Sequence, residues 1–408
     1  MTSLSGRVDF MPASRGCNSQ VIGICSTKTR GRMPVLPFNN LSGGVMSRHW
    51  QIAGYVVLAL VVIVSVLTWR FLSASGYFTG IRQEIAADCR AIEAMPGPED
   101  IAIDHERGLA YISAYDRRAV RSGAPGGQGV RGGIYVIDLK QPEAEWAFYP
   151  VTPPMPADFR PHGISLYMGE SGALRLFAVN HPAGGGEAVE IFDVAEDGSL
   201  SHARSVTDPL FVSLNDVVGV GTDSFYATND HGSGGISRML DDALLLRNAN
   251  VVYFDGEAAR IAADTLSYPN GVNVSPDGAT LYVASTLGMS LNIYKRDTET
   301  GNLTPFDHVR LGTGVDNIDV LPDGTLLIGA HPKLLDFLAH ASDPAELSPS
   351  QVVRIEPGEK KAGTIYLNFG EEISGISTAA GYGDKMLLGQ VFEPQLLVCD
   401  QSSEIRAY

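Results

Sequence analysis

The chain has 408 residues and a formal net charge of −16, and it contains 45 glycines and 23 prolines. Charged residues make up 19% and hydrophobic residues 44% of it, a balance that favours many short strands and turns over long helices. The acidity argues against nucleic acid as a partner, because phosphate binding needs a positive surface. It suits the binding of divalent cations, although acidity also simply aids solubility.

The amino-terminal segment differs in charge from the rest of the chain. Residues 1–50 hold six basic residues and one acid, and residues 51–69 hold no charge. The remainder carries 24 of the 30 basic and 45 of the 46 acidic residues. The uncharged run comes close to the roughly 20 residues that a helix needs to cross a bilayer, and it lacks the polar stripe of a core helix. We therefore predict a transmembrane signal anchor over residues 51–70.

The basic side of this anchor predicts its orientation. Positive charge collects on the cytoplasmic side of membrane helices, so we expect the body on the extracytoplasmic side, whether periplasmic, luminal or extracellular. Residues 1–50 show no periodic pattern and are interpreted as a disordered tail or as a start assigned too early, with Met46 as the alternative start. Residues 71–88 are interpreted as a linker.

A cleaved signal peptide is the alternative to a retained anchor. The triplet Ser73-Ala74-Ser75 consists of small residues of the kind that a signal peptidase cuts. We favour the retained anchor, because the apolar run exceeds the apolar core of about 7–15 residues typical of cleaved signals.

From residue 98 onward one phrase recurs, a turn with Asp or Gly followed by a short apolar run rich in β-forming residues. Aligning its six copies gives spacings of 66, 49, 56, 45 and 60 residues. The aligned residues are Tyr111, Phe177, Tyr226, Tyr282, Leu327 and Leu387. Periods of roughly 40–50 residues are typical of propeller blades, and longer spacings leave room for insertions. We predict an all-β domain over residues 89–408, a six-bladed β-propeller; an irregular β-sandwich is the disfavoured alternative.

Two of the four cysteines frame this domain. Cys89 and Cys399 lie near its ends, whereas Cys17 and Cys25 precede the apolar segment. A propeller joins its first and last strands in one blade, which brings the chain ends together, and an oxidising compartment permits a disulfide there. We predict a Cys89–Cys399 disulfide that locks this blade; two free buried thiols are the alternative.

Acids and amides recur in similar places in successive repeats. The set comprises Glu99, Asp100, Asn215, Asp216, Asn270, Asp316 and Asn317. Singly, such residues are most often turn formers, but tandem pairs in several repeats favour a site of hard oxygen ligands, which Ca²⁺ prefers. The sequence has no CxxC or HExxH pattern for softer metals. It also has no GxSxG nucleophile elbow, which argues against a serine hydrolase.

These residues lie in phrases that resemble those of the paraoxonase (arylesterase and lactonase) family over roughly residues 89–400. Eight phrases match in the order in which the family has them, and Cys89 and Cys399 lie where its closing disulfide lies. The matching phrases are Pro98–Asp100, Pro161–Ser165, Val179–Pro182, Leu214–Asp216, Thr228–His231, Asn270–Gly278, Val315–Ile318 and His331–Pro332.

The resemblance implies two Ca²⁺ ions in the central tunnel. The ligands of the catalytic ion would be Glu99, Asn215, Asn270, Asp316 and Asn317. The ligands of the buried structural ion would be Asp100, Asp216 and the backbone carbonyl of Ile164. The family's histidine pair over the catalytic ion corresponds to His162 and His181. His231 and His331 also lie in matching phrases, and we expect only structural or pocket-lining roles for them.

The resemblance further implies calcium-dependent hydrolysis of lactones and aryl esters by metal-stabilised attack of water. The base would be His162, tuned by His181; Glu99 or Asp316 at the metal are the alternatives. A sugar lactonase of the gluconolactonase type also stays open, although the phrase Pro161–Ser165 and the paired Asn-Asp sites disfavour it. A non-catalytic propeller scaffold stabilised by Ca²⁺ is a third hypothesis, which the loss of a ligand or of both histidines would favour.

The chain departs from the family in a Gly- and Arg-rich insertion, Tyr115–Gly133. In paraoxonases this loop borders the pocket and helps to choose the substrate, so the resemblance does not identify the substrate. Its arginines would suit a carboxylate or phosphate group on the substrate; an exposed flexible loop is the alternative.

Overall fold

The structure is a computed structural model that describes residues 47–85, 88–122, 129–155, 158–169, 171–233, 236–359, 361–401 and 406–407. The chain divides into two units, residues 1–57 and 58–408, and the first is described only from residue 47. The predicted tail up to residue 46, with the alternative start at Met46, lies outside the described residues.

The first helix, α1 (Arg48–Ala74), covers the predicted anchor and extends it at both ends. Its most apolar 18-residue window has a mean hydropathy of 2.5, and none of that window is buried. A helix that is apolar on every face needs an apolar environment, and 27 residues suffice to cross a bilayer. The helix is therefore compatible with a membrane anchor and also with a signal sequence.

Two short strands, β1 (Glu84–Ile85) and β2 (Cys89–Glu93), precede the first blade. Blade 1 consists of β3 (Pro98–Asp104), β4 (Leu109–Ala114), β5 (Gly133–Asp138) and β6 (Tyr149–Pro150), with helix α2 (Arg117–Arg121) after β4. Blade 2 consists of β7 (Pro161–Met168), β8 (Leu174–Asn180), β9 (Ala188–Val194) and β10 (Leu200–Val206). Blade 3 consists of β11 (Leu214–Gly219), β12 (Phe225–Asn229), β13 (Ala249–Phe254) and β14 (Ala259–Leu266), with α3 (Ile236–Leu244) after β12.

Blade 4 consists of β15 (Pro269–Val274), β16 (Thr280–Ser285), β17 (Ser290–Arg296) and β18 (Leu303–Arg310). Blade 5 consists of β19 (Gly314–Val320), β20 (Leu326–His331), β21 (Ser350–Ile355) and β22 (Ala362–Asn368), with α4 (Leu334–Ser342) after β20. Blade 6 consists of β23 (Ile376–Tyr382), β24 (Lys385–Gln390), β25 (Gln395–Asp400) and the early strand β2. Both β1 and the last strand, β26 (Arg406–Ala407), pair with β22 at the edge of blade 5.

The first strand of each of these blades is the inner strand of a closed ring. Contacts run from β3 to β7, β11, β15, β19 and β23 in turn, and β23 contacts β3 again. The predicted six-bladed propeller is therefore confirmed.

The recurring phrase of the sequence is the turn into the second strand of each blade. The aligned residues lie on β4, β8, β12, β16, β20 and β24, and five of the six are fully buried; Tyr282 is half-buried. The core lies between adjacent blades. Phe177 and Val189 of blade 2, for example, pack with Phe225 and Val252 of blade 3. Fully burying such a side chain contributes about 1.5–3 kcal/mol, which explains why one apolar phrase recurs in every blade.

The end of α1 docks on the turn before α4. The backbone N–H of Leu334 donates to the Ser75 carbonyl at 3.0 Å. The Lys333 ammonium donates to the carbonyls of Gly76, Tyr77 and Thr79 at 2.9, 3.1 and 2.6 Å. These carbonyls follow the helix, where a cation is favoured by the helix dipole. The chain after α1 is therefore fixed to the propeller by several hydrogen bonds.

The ring closes where the sequence predicts. Strands β2 and β25 pair antiparallel with Cys89 directly opposite Cys399, and the predicted disulfide between them is present. Their Cα atoms are 4.1 Å apart, slightly below the roughly 4.4–6.8 Å usual for disulfides. Directly opposite residues of a non-hydrogen-bonded pair come this close, so the short separation follows from the strand register.

Replacing both cysteines by alanine should lower thermal stability and leave the propeller folded, because four further β2–β25 residue pairs remain. For a sequence separation of 310, loop-closure entropy predicts a loss of roughly 5–6 kcal/mol as an upper value. Thermal unfolding followed by circular dichroism would measure the loss. Dithiothreitol should lower the Tm of the wild type to that of the double variant and leave the variant unchanged. An unchanged wild-type Tm would contradict a stabilising disulfide.

Candidate active site

The predicted metal ligands that act through side chains lie on the inner strands of four blades, at points where each strand loses register with its neighbour, and Ile164 lies on the inner strand of a fifth blade, β7. Register shifts occur between Pro98 and Asp100 in β3, Leu214 and Val217 in β11, Pro269 and Val272 in β15, and Val315 and Ile318 in β19. A shift also follows Pro161 in β7, where His162 lies. Such irregularities leave a residue unpaired and re-aim its side chain. They turn polar side chains away from the ladder and into one central cavity.

Glycines beside these residues allow the inner strands to approach one another. A Cβ atom on Gly163 would lie 2.1 Å from Asp216 Oδ1, and one on Gly271 would lie 2.6 Å from the Asp316 carbonyl oxygen. Neither position accepts a side chain without movement of the neighbouring strand. Close approach therefore explains the glycine in the His162-Gly163-Ile164 and Asn270-Gly271-Val272 phrases.

The central cavity has a volume of about 690 Å³, within the range of small-molecule sites. Its polar lining includes Glu99, Arg117, His162, His181, Asn215, Asn270 and Asp316. Its apolar lining includes Phe71, Leu334, Leu335, Phe337, Leu338 and Phe392. The cavity thus combines an apolar wall with a polar part, where four of the five predicted ligands of the catalytic ion lie; the fifth, Asn317, and the predicted ligands of the structural ion do not line it.

Four of the five predicted ligands of the catalytic ion hold a buried oxygen without a hydrogen-bond donor among the described residues. These atoms are Glu99 Oε2, Asn215 Oδ1, Asn270 Oδ1 and Asn317 Oδ1. The Nδ2 atom of Asn317 donates to Glu99 Oε1 at 2.9 Å, and that of Asn270 donates to Thr286 Oγ1 at 3.2 Å. An unsatisfied buried acceptor costs about 1–3 kcal/mol, so four of them on the inner strands of one ring fit a cation.

The donor set is unusual in being rich in amides. Among the described residues, no group of three or more His, Cys, Asp or Glu side chains is arranged to hold a metal ion. Asn oxygens are ligands that Ca²⁺ accepts beside carboxylates, whereas softer metals favour Cys and His. The residues present therefore fit a hard divalent cation.

Asp100 and Asp216 form a buried pair next to this set. Each carboxylate accepts two backbone N–H groups; Asp100 accepts those of Ile101 and Ile164, and Asp216 those of Val217 and Val272. Burial, with the charge of Glu99 beside it, raises the pKa of Asp100 to about 8. Burial and the charge of Asp100 raise the pKa of Asp216 well above its usual range. A bound cation would reverse both shifts.

Ile164 thus lies at the Asp100 carboxylate, with its N–H 2.7 Å from Oδ2. Coordination of an ion by its carbonyl stays a prediction.

Glu99 differs from the two aspartates in its surroundings. Burial alone would raise its pKa, but His162, Arg117 and Asn317 beside it lower that pKa to about 2. Glu99 therefore stays ionised.

The two predicted catalytic histidines are in contact. His162 Nδ1 lies 2.9 Å from His181 Nε2, and His181 Nδ1 lies 2.6 Å from Glu187 Oε2. With Glu187 accepting from the Nδ1–H of His181, the Nε2 atom of His181 accepts from the Nδ1–H of His162. The remaining nitrogen, His162 Nε2, lies 3.6 Å from Glu99 Oε1. While His162 is neutral, this order of hydrogen bonds leaves its lone pair at Nε2, which is the tautomer that a base requires.

Glu187 was not predicted from the sequence. It follows a Gly-rich turn six residues after His181, and no motif marks it. Burial lowers the pKa of His181, against the opposing effect of the Glu187 carboxylate, which keeps His181 neutral and able to accept.

The other two histidines of the matching phrases also line the cavity. His231 lies between Asp230 and Asp242, at 2.7 and 2.8 Å. Burial opposes its charging, but the two carboxylates raise its pKa to about 9. His331 Nε2 lies 2.7 Å from Asp316 Oδ2. Both therefore line the cavity and pair with carboxylates, and their role stays a prediction.

The inserted loop contributes to the cavity through α2. Arg117, the first residue of α2, is buried, and Arg121, at its end, is exposed; both line the cavity. Residues 123–128 of the insertion lie outside the described residues.

Comparison with known proteins identifies the family. The Arylesterase family model matches residues 88–401. Serum paraoxonase/arylesterase 2 of Rattus norvegicus is 35% identical over 364 residues, which cover 85% of this chain and 99% of the rat protein. The Homo sapiens protein of the same name is 35% identical over 319 residues, covering 76% of this chain and 87% of its own length.

Two solved structures show a distant likeness. A luciferin-regenerating enzyme has a TM-score of 0.49 and 10% identity, covering 79% of this chain and 97% of its own. The periplasmic gluconolactonase of Pseudomonas aeruginosa has a TM-score of 0.42 and 13% identity, covering 76% and 87%. Both likenesses are too distant to bear on the site. The family matches confirm the resemblance carried by the eight phrases, and the chain therefore belongs to the paraoxonase/arylesterase family of hydrolases.

Proposed function

We propose that the chain is a calcium-dependent hydrolase of lactones and, more weakly, of aryl esters, acting through attack of water. One observation carries the proposal: four buried oxygens without a donor among the described residues lie on inner strands of the ring, and one of their residues, Glu99, lies 3.6 Å from His162 of the His162/His181 pair. Family membership supports the same reaction class, since the matched relatives are named arylesterases, and one relative, of Rattus norvegicus, is named serum paraoxonase/lactonase 3.

The chain would hold two Ca²⁺ ions. Glu99, Asn215, Asn270, Asp316 and Asn317 would bind the ion at the cavity, and Asp100, Asp216 and the Ile164 carbonyl would bind the deeper one. When bound at the cavity, Ca²⁺ supplies a Lewis acid that stabilises the oxyanion of ester hydrolysis. The carboxylates of the deeper pair link β3 to β7 and β11 to β15 through backbone hydrogen bonds, and a cation between them would offset the repulsion of two buried like charges.

The residues of the cavity would share the remaining tasks. His162 Nε2 would accept the proton of the attacking water, and His181 with Glu187 would hold the imidazole in place through Nδ1. Proton transfer to His162 would produce an imidazolium. The Glu187 carboxylate, the last group of this series of hydrogen bonds, would stabilise that positive charge. The apolar wall around Phe337 and Phe392 would pack against the hydrocarbon part of the substrate.

The same wall weighs against a sugar lactonase. A polyol needs a hydrogen-bonding partner for each hydroxyl group that it buries, and six apolar side chains line one part of this cavity. A non-catalytic scaffold is also less well supported, because every predicted ligand and both histidines are retained.

We also propose that the propeller is anchored on the extracytoplasmic side of a membrane. The apolar α1 and the basic excess before it support this orientation, as does a disulfide, which persists in oxidising compartments.

A reporter enzyme that is active only outside the cytoplasm, fused after Tyr408, should be active. The same reporter fused before Arg48 should be inactive, because the basic end stays inside. Reporter activity in intact cells measures both fusions, and the reverse pattern would overturn the orientation.

Asp216→Ala should release the deeper ion and lower stability, because it leaves Asp100 and the vacated site uncompensated. Removing one partner of a buried charged set costs on the order of 3–5 kcal/mol. Bound calcium is measured by mass spectrometry after dialysis, and Tm by calorimetry with and without chelator. Asp319→Asn is the matched control, since Asp319 lies on an inner strand outside the predicted ligand sets. Equal calcium content in wild type and Asp216→Ala would contradict the structural site.

Asn270→Ala should reduce kcat/KM for all lactones and aryl esters, because it weakens the group that stabilises the oxyanion. Loss of one such group costs on the order of 10²–10³ in rate. His162→Gln should reduce lactone hydrolysis most, and it would spare other esters if a metal-bound carboxylate replaces the base. Initial rates on a lactone and on phenyl acetate, with calcium saturating and with chelator, measure both effects.

His202→Gln is the control for the histidine variant. His202 pairs with Glu190 at 2.8 Å but does not line the cavity, so its kcat/KM should stay at the wild-type value. Full activity of both Asn270→Ala and His162→Gln on every substrate would show that the site is misassigned. A wild type that hydrolyses nothing with Ca²⁺ present would favour the scaffold.

A further inference from the structure

We infer that the guanidinium of Arg117 forms an anion subsite beside the reacting centre, so that the preferred substrate is a lactone that bears a carboxylate. The inference rests on the proposed function and deepens it by naming the substrate class.

The structure fixes Arg117 in place. The Asp116 side chain caps α2 by accepting the Ala119 N–H at 2.8 Å. The Arg117 guanidinium lies over the Tyr115 ring, 4.1 Å from its centroid, and Nη1 donates to the Gly97 carbonyl at 3.3 Å. Its side chain is only 7% exposed. A guanidinium stacked on an aromatic ring and bonded at one end is preorganised for a planar ligand.

The other end of this guanidinium lacks a hydrogen-bond partner. The Nη2 atom is buried and donates to no described residue. The nearest acceptor, Glu99 Oε2, is 3.5 Å away, which is too long for a hydrogen bond. Arginine has five donors, and a carboxylate accepts two of them side by side. Because Arg117 also lines the cavity, an anionic group in the cavity would satisfy it.

The charges around Arg117 support an anion at this point. Two divalent cations would balance the carboxylates of Glu99, Asp100, Asp216 and Asp316, and the charge of Arg117 would then be left over. The other acids of the cavity have partners of their own. Asp230 and Asp242 contact His231, and Glu187 hydrogen-bonds His181, which stays neutral. The counter-charge of Arg117 is Glu99, 3.5 Å from Nη2, which Arg117 would share with the proposed ion, so an anionic group in the cavity would complete its pairing.

The position of Arg117 limits where the anionic group lies on the substrate. One carboxylate, that of Glu99, contacts His162 Nε2 through Oε1 at 3.6 Å and Arg117 Nη2 through Oε2 at 3.5 Å. The guanidinium and the proposed base therefore flank the same group. A substrate carboxylate on Arg117 would lie close to the ester bond under attack, as it does when it is attached to the lactone ring.

The test compares two substrates that differ only in charge, 5-oxotetrahydrofuran-2-carboxylate and its carboxamide. Wild type should prefer the carboxylate. Losing a charge-assisted pair costs on the order of tenfold to a hundredfold, so Arg117→Met should lose about that factor in kcat/KM on the carboxylate and little on the carboxamide. Arg117→Lys should keep part of the preference because it keeps the charge.

Arg238→Met is the matched control, because it removes a cation from another part of the cavity lining, where Arg238 pairs with Asp230. Its carboxylate-to-carboxamide ratio should equal that of wild type.

A binding measurement adds a readout that is independent of catalysis. Tetrahydrofuran-2-carboxylate keeps the ring and the anion but has no ester bond, and its Kd by titration calorimetry should rise at least tenfold in Arg117→Met. Calcium content, measured in parallel, reports whether Glu99 and its neighbours still hold the ion. If Arg117→Met loses calcium, two other results test the subsite. These are the preference of wild type for the carboxylate over the carboxamide, and whether Arg117→Lys keeps part of that preference.

Three results would overturn the subsite. These are no preference for the carboxylate in wild type, equal losses on both substrates in a calcium-loaded Arg117→Met, or unchanged Kd in that variant. Equal losses would mean that Arg117 supports Glu99 or the oxyanion instead. Hydrolysis of neutral lactones without a carboxylate preference leaves the proposed function standing. Arg117-dependent binding without hydrolysis of any lactone overturns the proposed function and retains the subsite.

Discussion

Like charges buried around one axis are the constraint on which the rest of the molecule depends. The inner strands of the propeller bring Glu99, Asp100, Asp216 and Asp316 into the interior, where each carboxylate is almost fully shielded from water. Burial of such charges is tolerated only with compensation. The chain supplies backbone N–H groups to Asp100 and Asp216, amide and cationic groups to Glu99, and His331 to Asp316. Buried oxygens of Glu99, Asn215, Asn270 and Asn317 still have no donor among the described residues, and this set fits a cation.

The compensation depends on departures from regular sheet structure. The bulged inner strands give up ladder hydrogen bonds in order to aim side chains at the axis. Gly163 and Gly271 have no side chain to pack, and the inner strands that carry Asp216 and Asp316 therefore lie close against them. The strands outside the inner ring carry little of the site, with His331 at the end of β20 as an exception. They supply apolar contacts between blades, and that stability supports the irregular inner strands.

The features predicted from the sequence were those that repeat or follow a motif. The period of the apolar phrase predicts blades because each blade buries the same strand, and the cysteine positions predict the seam because ring closure brings the ends together. Features set by tertiary packing could not be predicted. Glu187 contacts His181 across a Gly-rich turn. The pairing of β1 and β26 with β22 follows no sequence period. Arg117 is buried and Arg121 is exposed because of how α2 packs, which the sequence does not show.

The docking of Lys333 on the carbonyls after α1 has a consequence for any shed form of the protein. Phe71 and Ser75 belong to the cavity lining, and Lys333 and Leu334 hold the chain that carries them. Proteolysis after Ser75 would therefore cut away part of the wall along with the helix. A released propeller would lack the apolar surface that Phe71 contributes to the cavity, so that cleavage would change which hydrocarbon groups the cavity can bury.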